Sequence, residues 1–253
     1  MRILSALVIA FATYSRIPMP QVGWSEENQR YALCFFPLVG AVLGVCMYAW
    51  LKLCTLSDIG PLLRGAGCAV LPLLITGGIH MDGLMDASDA LASRQSREKG
   101  LEILKDSHVG AFAVIVCAAY LLLFAAVMSE AALGDALSLG TVFVASRAVS
   151  AISSVALKHA RADGMLRSMA KNARQRAVVV SGAAYLIACL AVWALSGVGL
   201  ALLCCAVLLI CAFYYRRMAY RRFGGVTGDL AGWLLQVTEL ALAFAIVMGG
   251  KLL

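Results

Sequence analysis

The chain has 253 residues, of which 62% are hydrophobic and only 14% charged. Soluble domains carry about 25% charged residues, which argues against a soluble bundle, and continuous rather than alternating apolar runs argue against a β-barrel. The formal charge of +7 is the signature of membrane-flanking loops, not of a nucleic-acid surface.

In chain order, apolar segments are predicted over Ile3–Tyr14, Tyr31–Leu51, Gly65–Ile79, Val109–Leu133, Asp135–Leu157, Ala177–Ser196, Val198–Tyr215 and Leu230–Gly249. Crossing a bilayer core takes roughly 20 apolar residues. The expectation is an all-α integral membrane protein: a polytopic bundle of about 6–8 transmembrane or re-entrant helices forming one domain over residues 1–253. The first and third segments are short enough to be tilted, re-entrant or interfacial. The first is read as a retained helix rather than a signal peptide, because Arg16 and Pro18 follow it without a small-residue cleavage site. The nine cysteines form no CxxC pair and mostly lie in apolar runs, as small buried residues do.

Four alternate loops hold 16 of the 21 basic residues. Arg16 and Arg30 lie in the first, and Arg94, Arg97, Lys99 and Lys105 in the second. The third holds Lys158, Arg161, Arg167, Lys171, Arg174 and Arg176, and the fourth Arg216, Arg217, Arg221 and Arg222. The positive-inside rule places these loops in the cytoplasm. Chemistry at that face suits an enzyme better than a transporter, whose polar groups concentrate near the midplane.

The densest polar motif, "IHMDGLMDASDAL", holds Asp82, Asp86 and Asp89. On a helix these three share one face, where like charges repel unless a cation sits among them. Hard carboxylates with a single nearby histidine suit Mg²⁺ or Mn²⁺ better than Zn²⁺; the bland alternative is a solvated helix end. In "LKDSHVGAF", Asp106 or Ser107 is either a helix cap or, with Lys105, part of a phosphate site. His80 and His108 are substrate contacts or interfacial histidines. "FGGVTGDLAG", with Gly225, Thr227 and Asp229, is either a glycine-rich turn presenting N–H groups to phosphate or a capped helix start. Arg147 and Glu239 lie within spans, as a structural ion pair or a substrate contact.

At these residues the sequence resembles the cobalamin synthase family, the adenosylcobinamide-GDP ribazoletransferases. "GGIHMDGLMDASDAL", "EILKDSHVGAF" and "GGVTGDLAGWLLQVTEL", with "YSRIPMP" and "FFPLVGAVLG" before them, stand in the family's order almost end to end. The resemblance implies a Mg²⁺-dependent, multi-pass inner-membrane enzyme with its active site facing the cytoplasm. It would join adenosylcobinamide-GDP to α-ribazole or its 5′-phosphate, the ribazole 5′-hydroxyl attacking the corrinoid-side phosphorus and GMP leaving. The family's acidic motif maps onto Asp82, Asp86 and Asp89 as metal ligands, and its lysine–aspartate pair onto Lys105 and Asp106. His80, Arg16, Gly225, Thr227, Asp229 and Arg147 are set against substrate. Expected partners are the two substrates, the lipid bilayer, and a second copy or other nucleotide-loop assembly enzymes, with no nucleic acid. A CDP-alcohol phosphotransferase fits less well, because Met85-Asp86 stands where that family's pattern has Ala-Arg. A transporter is the other alternative.

Overall fold

The computed structural model describes residues 2–252. Twelve α-helices follow one another: α1 Arg2–Tyr14, α2 Glu26–Gln29, α3 Ala32–Leu56, α4 Pro61–Thr76, α5 Ile79–Ala92, α6 Arg97–Ile103, α7 Ala111–Ser129, α8 Ala136–Ala156, α9 Met165–Asn172, α10 Gln175–Ser196, α11 Val198–Arg222 and α12 Gly228–Leu252. The described residues contain no strand. Six helices are long and apolar enough to cross a membrane: α3, α7, α8 with the 3-10 turn before it, α10, α11 and α12. The protein is therefore a multi-pass helical bundle of the class that its composition predicts.

The most buried spans, α12 and α8, form the inner layer; α12 packs against α5, α7, α8 and α11, and α8 against α3 and α10. α7, α10 and α11 are the outer helices. They expose Leu122 (72%), Ile187 (67%) and Phe213 (68%), which is stable only where lipid replaces water.

The third apolar segment differs from its predicted bounds. The helix begins at Pro61, whose fixed φ suits a first helical turn. It stops at Thr76, before Gly77 (φ 69°) and Gly78 (φ 79°). Two successive left-handed residues are accessible to glycine at little cost, and they turn α5 by 99° from α4. The aspartate motif is thus a separate 14-residue helix, set at a sharp angle to the apolar helix before it. α11, predicted to end at Tyr215, continues to Arg222, since arginine is a good helix former where the chain reaches water.

The four basic loops gather at one end of the bundle and are bonded to one another. Arg174 N–H donates to the Arg30 carbonyl at 3.0 Å, Val226 N–H to Lys158 at 2.8 Å, and Ala160 N–H to Val226 at 3.0 Å. Arg161 Nη2 donates to the Leu101 carbonyl at 2.6 Å. At the opposite end lie a Lys251–Glu130 ion pair of 2.6 Å and a hydrogen bond from Arg64 to the Ser129 carbonyl.

Candidate active site at the carboxylate cleft

α5 crosses the start of α12 at the loop-rich end, with glycines at the point of contact. A Cβ on Gly83 would stand 2.7 Å from the Asp229 carbonyl oxygen, and one on Gly232 would stand 3.0 Å from that of His80. Any side chain there would push the helices apart. The crossing brings Asp229, far away in sequence, beside Asp82 and Asp86. Between the helices opens a cleft of about 750 Å³, lined by Asp82, Asp229, His80, Tyr14, Phe36, Ser150, Ser154, Met165 and Leu166 among others.

The electrostatics of this region are those of gathered negative charge. Burial first, then the charges of Asp82, Asp229 and Asp89, push the Asp86 carboxyl up to about 6. Asp229 is held from two sides: Thr227 Oγ1 donates to its Oδ2 at 3.3 Å, and Arg161 Nη1 stands 3.8 Å from the same oxygen. Arg161 was counted in the sequence only as one loop charge, and the fold makes it the cation beside the cleft.

Asp89 departs from the rest of the stripe. Its Oδ2 accepts the Gly110 N–H at 2.7 Å and its Oδ1 the Ala113 N–H at 2.9 Å. These amides open α7, so Asp89 satisfies orphan donors of another helix and meets the positive end of its dipole. Among the described residues, no group of three or more His, Cys, Asp or Glu side chains is close enough to hold a metal ion as it stands. The donor chemistry nonetheless fits Mg²⁺, which takes one or two carboxylates together with water and substrate phosphates rather than a closed protein cage. Asp82, Asp86 and Asp229 are the carboxylates that could do this.

The back wall is aromatic. The His80 ring lies 6.1 Å from that of Tyr14 and 5.6 Å from that of Phe36. Its Nε2 is buried without a hydrogen-bond partner. Burial, and then the charge of Arg147, hold the imidazole well below its usual range and keep it neutral. Tyr14 and Phe36 fall in the "YSRIPMP" and "FFPLVGAVLG" motifs, though nothing in those motifs marks them as a wall of the cleft, while Ser150, Ser154, Met165 and Leu166 carry no signal in the sequence at all.

Other expected site residues lie elsewhere. Arg147 is 1% exposed and its Nη1 donates to Glu239 Oε1 at 2.7 Å and to the Phe143 carbonyl at 3.0 Å. Glu239 also accepts from Ser146 Oγ at 3.1 Å. This is a closed internal pair. Lys105 pairs with Asp163 at 2.7 Å on the exposed surface. Asp106 Oδ1 accepts the His108 N–H at 3.0 Å and meets His108 Nδ1 at 2.6 Å, a local turn outside the cleft lining. Arg16 is exposed and lies against Gly77, its N–H bonded to the Ile75 carbonyl at 2.7 Å.

The first amides of the glycine-rich turn are not available to a phosphate. The N–H groups of Gly224, Gly225 and Val226 donate to the carbonyls of Tyr220, Ala219 and Lys158, so they are already spent within the protein. Thr227 caps α12 instead, its Oγ1 accepting the Leu230 N–H at 3.2 Å. The turn's work is to lead the chain into α12 with Asp229 at the cleft.

Fold and cleft together define a multi-pass membrane enzyme with its polar machinery at one end of the bundle. The model of the family described as cobalamin-5-phosphate synthase matches residues 6–247. The chain belongs to that family. It is 40% identical over 248 residues to an adenosylcobinamide-GDP ribazoletransferase of Lachnoclostridium phytofermentans, covering 98% of this chain and 95% of the relative. A protein of the same name from Desulfitobacterium hafniense is 37% identical over 239 residues, 92% of this chain and 93% of the relative. One from Pseudomonas savastanoi is 33% identical over 234 residues, again 92% and 93%. No solved structure matches.

Proposed function

We propose that the protein is an adenosylcobinamide-GDP ribazoletransferase of the cytoplasmic membrane, working at the cytoplasmic face. It would join the corrinoid phosphate to α-ribazole or its 5′-phosphate and release GMP. The observation that carries this reading is the meeting of Asp82 and Asp229 at one cleft, with Asp86 close enough to feel both charges, in a chain whose relatives bear that name.

The family description supports a different nucleophile from the one that the resemblance implies. A synthase of cobalamin 5-phosphate leaves the 5′ oxygen of its acceptor esterified. That oxygen cannot also be the nucleophile, so a different ribose hydroxyl attacks, not the 5′-hydroxyl expected from the resemblance. The new P–O bond forms on the corrinoid-side phosphorus, the pyrophosphate bridge breaks, and GMP carries away the bridging oxygen.

Transfers of this kind depend mainly on positioning and on charge stabilisation. Mg²⁺ held by Asp82 and Asp229, with water and substrate phosphates completing its shell, would offset the charge of the pyrophosphate and of the departing GMP. Asp86, with its raised proton affinity, accepts the hydroxyl proton at a carboxylate oxygen. Arg161 fixes Asp229 and adds positive charge at the cleft. The Tyr14–Phe36–His80 wall offers flat apolar faces for the aromatic base of the acceptor, while neutral His80 can exchange a hydrogen bond through Nε2.

The test is GMP release by the purified protein in liposomes, with adenosylcobinamide-GDP, α-ribazole and Mg²⁺. Turnover that disappears in EDTA and in Asp229→Asn supports the reading. No GMP from folded protein, or full turnover in EDTA, contradicts it.

A further inference from the structure

A second polar recess lies outside the cleft, at the end of α11. It is an open surface recess lined by Leu91, Tyr214, Arg217, Met218, Arg221 and Arg222. Arg222 Nη2 donates to the Leu91 carbonyl at 3.2 Å, which ties the recess to the end of α5. Arg217 and Arg221 are one helical turn apart, and among the described residues neither has an ion-pair partner. Like charges at that spacing destabilise a helix, so the arrangement calls for an anion.

The surroundings say which kind. Just before the arginines, α11 exposes Leu209 (66%), Ile210 (66%) and Phe213 (68%), a surface that only acyl chains cover well. Tyr214 stacks on Trp233 at 5.9 Å, and such rings mark the level of lipid headgroups. The recess therefore sits where an apolar flank meets a cluster of guanidinium groups. Arginine forks match phosphate oxygens in pairs.

We propose that this recess is a binding site for an anionic phospholipid, its phosphate between Arg217 and Arg221 and its chains along Ile210 and Phe213. The site is separate from the carboxylate cleft and independent of the transfer reaction.

The experiment uses the full chain, stripped of native lipid in detergent, and reads lipid retention by native mass spectrometry. Dioctanoyl phosphatidylglycerol is compared with dioctanoyl phosphatidylcholine, and inorganic phosphate is the competitor. Retention of the anionic lipid should exceed that of the neutral one by roughly tenfold or more, and Arg217→Gln/Arg221→Gln should abolish the difference. Arg167→Gln/Lys171→Gln, which removes two charges on α9, should leave it intact. Equal retention of the two lipids overturns the proposal, as does an unchanged preference in the first double variant. An equal loss in the control variant means diffuse attraction and also overturns it. Displacement of the lipid by inorganic phosphate at matching concentration marks a free-phosphate site and does the same. If the double variant does not fold, the contrast between the two lipids on the wild-type protein decides.

Discussion

Two of the bundle's acidic sites are treated in opposite ways. Glu239 sits deep between α8 and α12, and Arg147 and Ser146 both donate to it. Asp82, Asp86 and Asp229 gather at the loop-rich end, where burial and mutual repulsion raise the Asp86 carboxyl to about 6 and the nearest cation reaches only Asp229. The first site is ion-paired within the chain, with only Arg147 Nε left without a hydrogen-bond partner among the described residues. The second is under-neutralised, which is costly to maintain and useful only when a cation and a charged substrate arrive. In a membrane protein, the degree of internal satisfaction separates scaffold from machinery better than burial does.

The comparison can be broken most severely at Glu239. Glu239→Gln leaves Arg147 as an uncompensated buried charge, and stability should fall by about 3–5 kcal/mol, seen as a lower thermal midpoint in detergent. Turnover per folded molecule should stay close to wild type. A severe loss of turnover at unchanged stability would move the pair into the active site.

The opposite result is expected at the cleft. Asp86→Asn should cost roughly 100-fold or more in GMP release, while the thermal midpoint holds or rises because a repelled charge has gone. Near-normal turnover by this variant would dismiss the cleft as the reaction site.

Asp89 sharpens the comparison, since it lies on the acidic stripe yet its oxygens are engaged as Glu239's are. Asp89→Ala strips the amides of Gly110 and Ala113 of their acceptor and should cost about 1 kcal/mol of stability. Asp89→Asn, which can still accept one of those N–H groups, should recover part of it and lose less turnover than Asp86→Asn. Equal inactivation by the two asparagine variants would mean that the stripe acts as one unit.

The smallest effect is expected at Lys105, which is engaged with exposed Asp163. Exposed pairs contribute little, so Lys105→Gln should change GMP release by less than about threefold, a barrier change below roughly 0.7 kcal/mol. A tenfold loss would restore the phosphate contact expected from the sequence.

The family and the acidic character of the site were legible because both are carried by local pattern. A D-G-x-x-D-x-x-D stripe survives any fold that makes it helical, and the motifs around it stand in order along the chain. The fate of each carboxylate was not legible. Asp86 and Asp89 look alike in sequence, and they part company only because α7 begins beside one of them. The engagement of the glycine-rich turn was hidden for a related reason: free N–H groups cannot be counted before their partners, here Ala219, Tyr220 and Lys158 for Gly225, Gly224 and Val226, are known.

By itself, the sequence determined the multi-pass helical class, the family and the grouping of basic loops. Each follows from composition or from short-range spacing. Tertiary structure alone decided that Asp229 joins Asp82 and Asp86, that Arg161 attends it, that Tyr14 and Phe36 wall the cleft, and that Arg147 is closed off by Glu239. Those outcomes depend on which helices touch and at what depth. In this chain the deciding contact at the cleft is a close crossing of α5 and α12, at Gly83 and Gly232, two glycines 149 positions apart. Charges separated by such distances along the chain interact only after packing has brought their helices together and removed the water between them.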